Sequence, residues 1–292
     1  MEGYYWRITD PSSSRVIVAL VGVSRAPDGD WACVALAGEP GGFLRQAIVA
    51  NATAEPDGLG AEAEPKVRAS ERELTVALAP DACLSIRLDS PTPWPHRAFG
   101  GLGPAQIVPG LGQYWHPHLL GTRLEGEALL GDERIDLDGA TAYAEKNWGA
   151  GFPRRWWWGQ AQGFDDPSVC VAFAGGVLER GPLRMPATSV VVHLGDRETL
   201  RLAPPLAVTG ADARGGAWRV RARSARHRIS IEGDSNGSQP HLLPVPIPAD
   251  RRTVDRARQL LAGRMRVEVE TGRRLRYRGE SLLAGLEVGD ER

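Results

Sequence analysis

The sequence predicts an all-β chain built as two antiparallel barrels or sandwiches with at most one or two short helices, and three observations carry that expectation. Short runs of alternating or β-branched residues recur along its whole length, and a period of two marks a strand with one face buried. Clusters such as Pro27-Asp28-Gly29-Asp30, Asp138-Gly139, Arg214-Gly215-Gly216 and Thr271-Gly272 punctuate them, where hairpins reverse. Helical periodicity is nearly absent, and strands do not alternate with helices as parallel sheets require. At 292 residues the chain has room for two such bodies. The division expected from the sequence is an N-terminal β domain over 1–140 and a C-terminal one over 141–292.

Taken in order, RVIVALVGV and WACVALAG read as the first strand pair, divided by the turn at 27–30. LTVALAP and CLSIRLDS follow as the next. The Pro-rich stretch PTPWPHR (91–97) is expected to be a crossing or lid, because proline donates no ladder hydrogen bond. SVCVAFAGGV, TSVVVHLG, WRVRARS, HRISIEG, MRVEVETG and RLRYRGESL are strands of the second half, with Asp165-Asp166-Pro167 as a hairpin turn before them. A second Pro-rich stretch, LLPVPIPADRR (242–252), precedes TVDRARQLLAG (253–263), the one segment expected to be helical: a threonine near its start, Leu260 and Leu261 inside and Gly263 at its end.

Composition excludes several classes of function. A formal charge of -1 and a pI near 6.6 give no global attraction to nucleic acid or to an anionic membrane, although local patches leave peripheral membrane contact open. The apolar run VIVALVGV (16–23) is far shorter than the ~20 residues of a spanning helix. The start, MEGYYWRITD, lacks the build of a signal peptide, so a cytoplasmic location is expected. Cys33, Cys83 and Cys170 have no CxxC spacing, and neither a disulfide framework nor a metal site is expected from them. There is no P-loop, no strand-GxGxxG-helix unit, no GxSxG elbow and no HExxH. The sequence leaves the oligomeric state open.

Chemistry concentrates in YAEKNWGAGFPRRWWWGQAQ (143–162), which holds four of the nine tryptophans. As an extended chain it places Trp156, Trp158, Gln160 and Gln162 on one face and Trp157, Gly159 and Ala161 on the other. Two indoles followed by two amides form a wall able to hold a flat apolar guest and bond its polar end. Tyr143, Glu145 and Asn147 share a face upstream, with Lys146 and Trp148 opposite. Burial among indoles keeps a carboxyl protonated and fit to act as a general acid, unless Lys146 or Arg154 pairs with Glu145. In GLGQYWHPHLLG, Tyr114, His116 and His118 align with Trp115 behind them. The two histidines are reserve acids; with no third ligand, no metal is expected there. Indoles in β proteins also serve as core, and a carboxylate beside lysine also serves as a structural ion pair. His193, His227 and His241 have no evident partners in the sequence and are assigned to structure.

The run from Tyr143 to Gly149, followed by Phe152 to Gln160, resembles the signature of the tocopherol cyclase family. Glu2 to Arg7 is similar to the family's opening strand and Leu283 to Gly289 to its closing one. The resemblance implies a lipocalin-like antiparallel fold in two domains, related to carotenoid-hydratase-like proteins. For function it implies ring closure of a prenylated hydroquinone to a chromanol, an isomerisation that needs no cofactor. Such a reaction asks for an acid, a dry apolar wall and a hydrogen-bonding group for the phenol. Glu145 is expected to be the acid, with Tyr114, Asn147, Trp148, Trp156, Trp158 and Gln160 binding a hydrophobic small molecule. The alternatives are a lipocalin-like carrier of an isoprenoid and an alkene hydratase.

Overall fold

A computed structural model describes the chain except residues 56–57, 90–91, 96–98, 181–182, 196–197 and 291–292. Among the described residues there are twenty-three strands, two short 3-10 turns and no α-helix, so the all-β expectation holds. The first thirteen strands form one sheet: β1 (Glu2–Asp10), β2 (Arg15–Ser24), β3 (Trp31–Glu39), β4 (Phe43–Ala50), β5 (Thr53–Ala54), β6 (Ala61–Ala63), β7 (Val67–Ala69), β8 (Glu73–Ala79), β9 (Ala82–Leu88), β10 (Thr92–Pro93), β11 (Gln113–Leu130), β12 (Glu133–Asp136) and β13 (Thr141–Gly149). The other ten form a second: β14 (Arg155–Ala161), β15 (Val169–Arg180), β16 (Leu183–Leu194), β17 (Thr199–Leu202), β18 (Val208–Arg214), β19 (Ala217–Arg223), β20 (His227–Asp234), β21 (His241–Ile247), β22 (Arg252–Thr271) and β23 (Arg274–Asp290). The pairings are antiparallel and both sheets curl.

The sheets part between Gly149 and Arg155, not at the expected 140/141. The reason is pairing: β13 hydrogen-bonds along β1, Tyr5 opposite Glu145 and Arg7 opposite Tyr143. By contacts the chain divides into a first unit (1–94, 117–151 and 242–256) and a second (95–116, 152–241 and 257–292). Segment 242–256 joins the first unit through Pro246 against Gly22 and an Arg251–Asp28 ion pair of 2.7 Å.

Each unit has its own core, made from one face of its strands. In the first, Tyr4, Trp6 and Ile8 alternate inward and pack with Ile17, Ala19, Val34, Leu74 and Leu84. In the second, Trp157, Ala161 and Phe173 pack with Val190, Val220, Met265 and Leu286. Three indoles stand over glycines. A Cβ at Gly175 would collide with Trp157, one at Gly289 with Trp156, and one at Gly101 with Trp115. The first two glycines lie directly opposite their tryptophans on neighbouring strands, so the missing side chain makes room for the ring.

The expected helix at 253–263 is the first part of β22. Its adjacent leucines mimic a helical stripe, but Leu260 and Leu261 are both buried because both faces of the strand are covered there. Gly263 marks a register shift against β23 rather than a helix end. Of the Pro-rich stretches, 241–247 is a strand off the main path of its sheet, and so is 92–93; positions 91, 96 and 97 lie outside the described residues. Asp166 caps the turn between β14 and β15, accepting from the Ser168 backbone at 2.9 Å. No helix among the described residues is long and apolar enough to cross a membrane.

The glycine niches give a test. Gly175→Val should cost about 1–3 kcal/mol through overpacking against Trp157, whereas Gly210→Val on the exposed strand β18, with nothing within 4 Å, should be neutral. Urea unfolding of the two variants measures the difference.

Candidate functional site

In the first unit the β1–β13 ladder assembles a buried polar group. Directly opposed residues share a face, so Tyr5, Arg7, Tyr143 and Glu145 lie together on the side away from the Trp6 core. The face is dry: Arg7 is wholly buried and Glu145 is 5% exposed. The Tyr143 hydroxyl donates to Glu145 Oε2 at 2.5 Å. Burial pulls the Arg7 guanidinium below its ordinary value, and a hydrogen bond with Tyr5 opposes that pull.

Lys146 turns to the other face. Its Nζ pairs with Glu2 at 2.9 Å, donates to the Glu55 carbonyl at 2.7 Å and stands 5.2 Å from the centre of the Tyr4 ring. Glu2 is thus the countercharge of the buried lysine. Asn147 lies opposite Gly3 and its amide covers that glycine. Trp148 lines a hollow of about 230 Å³ with Met1, Glu2, Val23 and Arg25. His118, on β11, is pushed down to about 4 by burial and by the nearby Lys146 charge. At pH 7 its imidazole is therefore neutral.

In the second unit the alternation along β14 is as the sequence predicts: Trp157 and Ala161 enter the core, and Trp156, Trp158 and Gln160 take the opposite face. All three are buried. Glu287 of β23 stands directly opposite Trp158. Its carboxylate accepts from Trp156 Nε1 at 2.5 Å and from Gln259 Nε2 at 2.9 Å. Gln160 Nε2 donates to Cys170 Sγ at 3.6 Å, while its buried Oε1 has no hydrogen-bond partner among the described residues.

The structure therefore distributes the sequence-predicted residues. Glu145, Asn147, Trp148 and His118 belong to the first unit, and Trp156, Trp158, Gln160, Tyr114 and His116 to the second. Tyr114 donates to the Val108 carbonyl at 2.5 Å, and Trp115 between them covers Gly101. Sequence reasoning about charge missed Glu287. Its signal lay in LAGLEVG, where it is the one acid two residues from Gly289, the glycine that leaves space for Trp156.

The model of the tocopherol cyclase-like family matches residues 115–290. The chain belongs to that family. The match takes in β13, β14 and the closing strand with Glu287. The chain is 29% identical over 124 residues to a probable chloroplastic tocopherol cyclase of Oryza sativa subsp. japonica, covering 41% of this chain and 26% of that protein. With the chloroplastic tocopherol cyclase of Zea mays it shares 27% over 168 residues, 54% of this chain and 35% of the other. The matched part thus spans only about a quarter to a third of these relatives. Among solved structures, CghA with Sch210972 aligns at TM-score 0.59 and 13% identity, covering 99% of this chain and 88% of that one. Kievitone hydratase from Nectria haematococca aligns at 0.55 and 12%, covering 99% and 89%. At such identity the likeness is one of fold, the lipocalin-like architecture.

His118 makes the pH dependence of folding predictable. The unfolded chain takes up a proton near pH 6.5, which the folded histidine resists until about pH 4. Stability should therefore fall as pH drops from about 6.5 to 4, by about 2 kcal/mol after allowance for solvent screening, and be flat above. Urea midpoints across that range should show the slope in the native protein and a shallower one in His118→Gln.

Proposed function

We propose that the protein closes the ring of a prenylated hydroquinone, or of a hydrophobic aromatic of that kind, by protonating its alkene without a cofactor. The observation that carries this reading is the carboxyl of Glu145, buried on the β1–β13 ladder with the Tyr143 hydroxyl bonded to it. An alkene is protonated only by an acid held away from water, and a tertiary cation persists long enough to be captured only in a water-poor place.

The acid is Glu145. Two carboxyl groups qualify by position on a strand, and their donors separate their roles. Glu287 accepts two N–H bonds, which favour its anion. Glu145 is more deeply buried, which favours the protonated form, and the Tyr143 hydroxyl is placed to steady the carboxylate once the proton has left. In the proposed sequence the Glu145 O–H bond breaks as a C–H bond forms at the less substituted alkene carbon. The phenol oxygen then captures the tertiary cation, and its proton returns to the carboxylate. Nothing is oxidised, and the product is an isomer of the substrate. His118, neutral at pH 7, does not compete for the role.

Family membership supports the reaction class. Incubation with a prenylated hydroquinone should give a later-eluting product of unchanged mass. Glu145→Gln should lower the rate by about 10²–10⁴ with the circular dichroism unchanged. A product heavier by one water would make the enzyme a hydratase. Stoichiometric quenching of tryptophan fluorescence without any product would make the protein a carrier.

A further inference from the structure

We infer that one end of the second unit's sheet is a docking surface for an anionic phospholipid bilayer. Pairing sets four residues in a single row across four strands: Val208 on β18, Arg223 on β19, Arg228 on β20 and Glu270 on β22. Directly opposed residues share a face, so these four side chains emerge on the same side. Strands ~4.8 Å apart make such a row roughly 14 Å long. Arg221 lies in the next row, and with Arg223, Arg228, Glu268 and Glu270 it lines a hollow of about 670 Å³.

The charges here are not balanced from within. Arg228 pairs with Glu270 at 3.3 Å, Arg278 with Glu268 at 2.8 Å and Arg276 with Glu198 at 2.8 Å. Arg221 and Arg223, Arg226 in the turn after β19, and Arg273 and Arg274 at the turn before β23 have no ion pair among the described residues. Arg223 and Arg228 even stand directly opposite each other, an arrangement that like charges disfavour.

The occupant is identified by what surrounds the arginines. Val208 is 80% exposed, Leu206 just before it 67%, and Leu275 beside the turn that carries Arg273 and Arg274 is 52% exposed. Guanidinium groups beside exposed aliphatic side chains match an interface that offers phosphate headgroups above hydrocarbon. A duplex or a free phosphate would leave the aliphatic tips in water. This inference is independent of the reaction class, because it rests on surface charge and exposure alone.

Co-sedimentation of the full chain with vesicles tests it. Binding to vesicles of equal parts phosphatidylcholine and phosphatidylglycerol should exceed binding to phosphatidylcholine alone and weaken with added salt. The variant Arg223→Ser/Arg226→Ser/Arg273→Ser should bind about a hundredfold more weakly, roughly fivefold per arginine. Should it fail to fold, the single turn variants Arg226→Ser and Arg273→Ser should each show their fivefold loss with an unchanged melting temperature. Equal binding to both vesicle types, no loss in the variants, release by inorganic phosphate at matched ionic strength, or a preference for duplex DNA would overturn the proposal.

Discussion

The pairing of β1 with β13 is the constraint on which the candidate chemistry rests. Side chains opposed across an antiparallel ladder point the same way, so one register decides which of two adjacent charged residues is buried with which companions. With Tyr5 opposite Glu145, the carboxyl meets the Tyr143 hydroxyl, and Lys146 is delivered to Glu2 on the reverse. A slip by one residue would exchange them. Lysine would then enter the tyrosine-lined face, and the acid would lie against the Tyr4 side of the sheet.

The second unit solves a different problem with the same alternation. Three consecutive tryptophans in one strand cannot all enter one core. Trp157 does so, and Trp156 and Trp158 are carried to the other face. Space for such large rings comes from glycines on the neighbouring strands, Gly175 for Trp157 and Gly289 for Trp156. The crowded aromatic run and the glycines of the closing strand are therefore one device. It lets an indole N–H reach Glu287 and leaves an amide oxygen of Gln160 buried beside it.

Much of this was legible in the residues because period-two patterning is local. The strands, the turns and the two faces of 155–162 follow from neighbours in sequence. What was not legible depended on partners far along the chain. Segment 253–263 looked helical because buried leucines at 260 and 261 resemble a helical stripe; only the covering of both faces of β22 reveals a strand. Glu287 lies more than a hundred residues from Trp156, and no local pattern joins an indole to that carboxylate. Lys146 looked like a partner for Glu145 by adjacency, whereas adjacency in a strand separates side chains. The arginine-rich end of the second sheet was hidden for a similar reason, since a chain with near-zero net charge still concentrates cations where register aligns them.

To serve as the proposed acid, Glu145, buried against Tyr143, must carry a proton at neutral pH. Infrared difference spectra between the native protein and Glu145→Gln read that proton, because ionised surface carboxylates cancel. A protonated-carboxyl stretch is expected at pH 7 in the native protein and should vanish in the variant. A carboxylate signal in its place, with no protonated band, would remove Glu145 from the role.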